Sequence, residues 1–163
     1  MPSTRTLFPL SLAVLMGCAT EKSAAEKPPA VSPPAIKNFA LTPGDEVPPC
    51  PAGGPGAQGT ANVTLSPDES SLTATVNYSG LSGPATVAHL HAGKAGVAGP
   101  VVLPFSGDLT SPFTKTFTAA DYVAAPGAPP DFASFVQTLK AGGAYVNVHA
   151  AACKPGEIRG QII

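Results

Sequence analysis

The chain carries three histidines, and their spacing is its first chemical signal. His89 and His91 lie in Thr86-Val87-Ala88-His89-Leu90-His91-Ala92-Gly93, and His149 closes Ala144-Tyr145-Val146-Asn147-Val148-His149. Both stretches alternate with the period of a β-strand, whose successive side chains point to opposite faces. His89 and His91 therefore share a face, with Ala88, Leu90 and Ala92 on the other. In the second stretch Val146 and Val148 form the apolar side, and Tyr145, Asn147 and His149 the polar side. If the aliphatic residues make the core, every imidazole lies outside it. The two rings of a His-x-His strand stand about 6 to 7 Å apart along it, so an ion with bonds of about 2 Å to each nitrogen fits between them. A third imidazole from a neighbouring strand completes a three-nitrogen set suited to copper or zinc. The plain alternative is a row of outward polar residues paired with Asn147, Tyr145 or Glu157. A His-x-His pair by itself favours that alternative, and the matching orientation of the third histidine is what favours a site. Glu46, Tyr145, Asn147, Glu157 and Arg159 are the candidates to surround it, with an internal salt bridge as the expected role of Glu157 and Arg159.

The elements that must position these residues follow from the same alternation. Ile36 to Leu41 reads as a first strand, followed by a long Pro/Gly loop through Cys50 to Gly56. From Gly59 to Ser66, Ala61, Val63 and Leu65 alternate with Thr60, Asn62 and Thr64. Turn residues at Ser66-Pro67-Asp68-Glu69 lead to a second alternating run, Leu72, Ala74, Val76 and Tyr78, and the two form a hairpin. Gly80 to Pro84 crosses to the His89/His91 strand. Gly93, Gly96 and Gly99 space a plain flexible loop: no Gly-Lys-Ser/Thr and no opening helix make it a phosphate loop. Val101 to Phe105 and Phe113 to Phe117 read as further strands. Asp131 caps a helix whose Phe132, Phe135, Val136 and Leu139 recur at helical spacing, and Gly142-Gly143 stops it. The His149 strand, a loop at Cys153 and a last strand over Glu157–Ile163 complete the chain. About eight short strands and one short helix predict an all-β fold, an antiparallel Greek-key sandwich or barrel.

The N-terminal residues read as a targeting segment rather than part of the fold. Leu7 to Met16 is an apolar run too short to span a bilayer. It ends in Leu15-Met16-Gly17-Cys18, which resembles the lipobox of bacterial lipoproteins. That resemblance implies cleavage after Gly17, lipidation of Cys18, and export to the cell envelope. Residues 18–35, rich in Glu, Lys, Ala and Pro, read as an extended tether between the lipid and a domain at 36–163. Ala19 after the cysteine is compatible with outer-membrane sorting, facing the periplasm or the cell surface. Cys50 and Cys153 then remain, and in an oxidising compartment such a pair is expected to form a disulfide. Charged residues are 12% of the chain and the formal net charge is -1, a balance that favours neither nucleic acid nor an acidic membrane surface as the main partner.

Several segments resemble the CHRD domain, a module of exported proteins. They are Glu46-Val47-Pro48-Pro49, Leu65-Ser66-Pro67-Asp68, Tyr78-Ser79-Gly80-Leu81-Ser82-Gly83-Pro84-Ala85, Ala88-His89-Leu90-His91-Ala92-Gly93, Tyr145-Val146-Asn147-Val148-His149 and Gly156-Glu157-Ile158-Arg159-Gly160-Gln161-Ile162. They run in the family's order from about Phe39 to the end. Cysteines at 50 and 153 depart from its usual pattern together, which supports their pairing. A looser resemblance is to the Cu,Zn superoxide dismutase barrel, where a Gly-Leu crossover also leads to a His-x-His strand. It implies an eight-stranded Greek-key barrel with copper on its outer face. It does not imply dismutase activity, because the chain has no histidines left for a bridging ligand and zinc ligands. Three functions follow: an envelope lipoprotein that binds copper without catalysis, a structural or adhesive module whose sheet binds an envelope protein or polysaccharide, and a redox enzyme.

Overall fold

The computed structural model describes residues 35–163. The targeting segment, Cys18 and the greater part of the tether lie outside these residues. Eight strands and one helix follow in order: β1 (Ala35–Leu41), β2 (Gln58–Leu65), β3 (Ser71–Ser79), β4 (Ala85–Ala92), β5 (Val101–Pro104), β6 (Phe113–Thr118), α1 (Phe132–Lys140), β7 (Ala144–Ala150) and β8 (Cys153–Ile162). They form two four-stranded antiparallel sheets, ordered β1-β2-β3-β6 and β5-β4-β7-β8. The chain crosses between sheets after β3, after β5 and again through α1. On one side the sheets are joined by a bridge in which Thr42 and Arg159 exchange both backbone hydrogen bonds, at 2.8 and 3.0 Å.

The core is made by the side chains the alternation assigned to it. Ala61, Val63 and Leu65 of β2 and Leu72, Ala74 and Val76 of β3 face Ala88 and Leu90 of β4, Val146 and Val148 of β7, and Ile158 and Ile162 of β8. Burial of each such side chain stabilises the sandwich by about 1.5–3 kcal/mol before chain entropy is subtracted. Phe105 sits between Phe113 and Phe117 in edge-to-face contacts with centroids 5.0 and 5.1 Å apart. The helix starts as its sequence predicts: Asp131 Oδ1 accepts from the Ser134 N–H at 2.7 Å, and Phe132, Phe135, Val136 and Leu139 are buried.

The last strand differs from the sequence expectation. It begins at Cys153, not Glu157, because Ala150 pairs with Cys153 across a tight turn at Ala151 and Ala152. The β7–β8 register then shifts between Val148 and Ala150, so residues Lys154 to Glu157 bulge opposite His149. Such bulges re-aim side chains and bring loop backbone against them. The expected disulfide is present: Cys50 and Cys153, 103 residues apart, are bonded. It fastens the β1–β2 loop to the start of β8.

Candidate metal centre

Loops cover the part of the second sheet's outer face that carries the histidines. His89 comes from β4 beside Asn147 of β7, and His91 beside Tyr145. His149 lies opposite Val87. The Gly93–Pro100 stretch and the bulge of β8 close over them, leaving His91 and His149 only 7% and 6% exposed and His89 half-buried. The three imidazoles meet: one ring nitrogen from each lies within 4.8 Å of the other two. His89 Nδ1 is 3.2 Å from His149 Nε2.

Which nitrogens carry protons follows from their partners. A carbonyl oxygen only accepts, so His91 Nδ1–H donates to the Gly99 carbonyl at 2.9 Å and His149 Nδ1–H to the Lys154 carbonyl at 2.7 Å. Burial lowers the pKa of both rings, outweighing the carbonyl bonds that favour their protonated forms. Burial first, then the neighbouring rings, depresses His89 to about 4. All three are neutral at pH 7, and a neutral imidazole has a single N–H. The Nε2 atoms of His91 and His149 are therefore bare, and both face Asn147 Oδ1 at 3.0 Å. The lone pairs of His91 Nε2, His149 Nε2 and Asn147 Oδ1 converge with no proton between them, an arrangement that a cation satisfies. Fixing the far ring nitrogen by a backbone carbonyl is also how metal-binding imidazoles are oriented.

The surrounding residues divide. Tyr145 stacks on His91 with centroids 4.5 Å apart, and the Arg159 guanidinium lies 3.4 Å above the other face of Tyr145. The Tyr145 hydroxyl also accepts from the Gly99 N–H at 3.1 Å, helping to fix the carbonyl that orients His91. A Cβ on Gly99 would come within 1.8 Å of the Ala92 carbonyl, so only glycine allows this approach. Glu46 is 3% exposed and lies over Gly156, whose φ of 138° is open to glycine.

The expected Glu157–Arg159 salt bridge does not form. Arg159 Nη2 donates instead to the Lys94 carbonyl at 2.9 Å and to Gln161 Oε1 at 3.3 Å. Glu157 accepts from the N–H groups of Gly54 and Ser82 and from Ser82 Oγ, 2.6 to 2.7 Å away. The ion pairs among the described residues are Lys115–Asp121 and Lys140–Glu69, and neither includes Glu157, Arg159 or a histidine. Glu157 thus clamps two loops and does not serve the cluster. Sequence reasoning missed the carbonyls of Gly99, Lys154 and Pro155, because a main-chain acceptor leaves no mark in side-chain pattern.

Glu46 provides a test of this environment. Burial raises its carboxyl from 4.5 to about 7, against the opposing pull of Arg159 and of hydrogen bonds from Val47 and Asn147. The folded chain keeps this proton at pH values where the unfolded chain has released it. Its contribution is full below about 4.5 and disappears as pH rises through 7. Glu46→Gln should therefore stabilise the protein at pH 8, by up to about 3 kcal/mol, and change little at pH 5. Urea denaturation at the two pH values checks this, and an equal effect at both would contradict the burial argument.

The fold and the site define a class: a two-sheet antiparallel sandwich with a three-imidazole cluster on the outer face of one sheet. The sequence profile of the CHRD domain matches residues 38–162, and the chain belongs to the CHRD domain family. No curated protein and no solved structure matches it.

Proposed function

We propose that the protein is an exported, lipid-anchored envelope protein whose CHRD domain binds copper through His89, His91 and His149 without catalysing a reaction. The observation that carries the reading is the convergence of three ring nitrogens within 4.8 Å, two of them bare because their rings donate elsewhere. An all-imidazole nitrogen set suits copper, the metal proposed here, and also zinc. The chain has three histidines in all, so a second metal centre built on imidazole has none to use. Binding, storing or delivering copper needs only the one site. The anchor at Cys18 and the tether that follows would hold the domain at an envelope membrane, with several acyl chains giving stable attachment.

A second reading has an observation of its own. The outer face of the first sheet is an exposed field of hydroxyls and amides, with Thr73 paired to Thr116 and Thr75 to Thr114 at 2.8 and 2.9 Å. A structural or adhesive module would offer that face to an envelope protein or polysaccharide.

Titration with Cu(II) followed by EPR separates the two. The copper reading expects one equivalent of nitrogen-coordinated copper and, in His91→Ala, an affinity lower by more than about 100-fold, beyond what orienting groups cost. Weak, non-stoichiometric copper, or binding unchanged in the variant, leaves the adhesive reading. Superoxide turnover abolished by the same substitution would instead point to a redox enzyme.

A further inference from the structure

We infer that Asn147 is a fourth donor of this site, its side-chain oxygen binding the same ion as the three imidazoles, and that it gives the site its preference for a divalent ion over Cu(I). This rests on the three-histidine reading and extends it.

The first support is geometric. Four donors arranged tetrahedrally about an ion with bonds of about 2.0 Å lie about 3.3 Å apart, and adjacent donors in a square plane about 2.8 Å. Asn147 Oδ1 is 3.0 Å from His91 Nε2 and 3.0 Å from His149 Nε2, and His149 Nε2 is 3.2 Å from His89 Nδ1. These separations fall within that range, and they run in sequence through all four residues.

The second support is the direction of the amide. Asn147 Nδ2–H donates toward the Pro155 carbonyl at 3.4 Å. That contact draws the nitrogen away from the rings and leaves the oxygen facing the two bare nitrogens. The reverse orientation would satisfy the rings but set the amide oxygen against the Pro155 carbonyl. Asn147 is 2% exposed and fixed mid-strand, opposite His89 on one side and Arg159 on the other. Its oxygen is held in place before any ion arrives.

The third support is chemical. An amide oxygen is a hard donor that suits a divalent ion, whereas Cu(I) favours thiolate and thioether sulfur. Among the described residues there is no methionine, and Cys50 and Cys153 are tied up in their disulfide. The oxygen of Asn147 therefore contributes more to Cu(II) than to Cu(I). A residue that only oriented the rings would affect both oxidation states alike.

The test measures Cu(II) and Cu(I) affinities of the purified protein by chelator competition, with EPR of the Cu(II) form, for the wild type, Asn147→Leu and Asn147→Asp. The Leu variant is expected to lose about 10–100-fold in Cu(II) affinity, to change its EPR hyperfine splitting, and to keep Cu(I) affinity at the wild-type level. The Asp variant retains an oxygen and is expected to keep or increase the preference for Cu(II). If the Leu variant does not fold, the Asp variant decides. Equal losses for both oxidation states, no change in either, or an Asp variant with a reduced Cu(II) preference would overturn the fourth donor while leaving the histidine site standing. A wild type that binds no copper would overturn the histidine reading itself.

Discussion

Replacing Cys50 and Cys153 together by serine lowers the unfolding temperature by on the order of 10 °C and weakens Cu(II) binding about tenfold or more. The stability loss comes from the unfolded chain. A bond between residues 103 apart removes loop-closure entropy equivalent to about 4–5 kcal/mol, an upper figure for crosslinks of this length. The affinity loss comes from where the bond sits. Cys153 opens β8, and the next residues supply the Lys154 carbonyl that orients His149, the Pro155 carbonyl that orients Asn147, and Gly156 under Glu46. Cys50 ends the segment that carries Glu46. Cutting the bond frees both sides of this shell while leaving every proposed ligand in the chain. Thermal denaturation and chelator competition on the oxidised wild type and the double variant measure the two effects. A shift below about 3 °C would mean the remaining contacts hold the loop without the crosslink. Unchanged Cu(II) affinity would mean the β8 bulge keeps its carbonyls in place alone.

That dependence on main-chain atoms also shows how far the sequence could be read. Alternation at Val63/Leu65, Leu72/Val76 and Val146/Val148 sorts side chains between core and outer face because the strand period is two, and the observed burial follows it. The same period placed His89, His91 and His149 on the outer face. Spacing could not show that this face is roofed over, since the roof is made of loops whose Gly and Pro residues read as plain connection. Lys154-Pro155-Gly156 looks unlike a strand, and β-propensity argued for a loop there. Pairing of Ala150 with Cys153 overrides it, and the resulting bulge supplies the orienting carbonyls. Glu157 and Arg159 share a face of one strand, which made a salt bridge between them the expected outcome. Yet same-face neighbours on a strand are about 7 Å apart, and each finds nearer partners: Tyr145 and Lys94 for Arg159, Gly54 and Ser82 for Glu157.

The separate duty of Glu157 yields the second large effect. Glu157 is 1% exposed, and an ionised carboxylate is tolerated at such depth only when its oxygens are satisfied. Three donors do so: Gly54 N–H at 2.7 Å and Ser82 N–H at 2.6 Å on one oxygen, and Ser82 Oγ at 2.7 Å on the other. Glu157→Ala removes three hydrogen bonds to a charged group and leaves two main-chain donors without their acceptor, for an expected loss of about 3–4 kcal/mol. Glu157→Gln keeps an oxygen for the main-chain donors and an amide that Ser82 Oγ can accept from, so it loses only the charge assistance, about 1 kcal/mol. The order of stability in urea should be wild type, then Gln, then Ala. The clamp ties the β1–β2 loop and the β3–β4 crossover to the end of the β8 bulge, and its hydrogen bonds reach neither the histidines nor the Gly99 and Lys154 carbonyls. The copper EPR spectrum of either folded variant should therefore match the wild type, in contrast to the disulfide variant, where stability and affinity fall together. An altered spectrum in Glu157→Gln would show that the two loops it ties transmit strain to the imidazoles, and the division between clamp and site would have to be withdrawn.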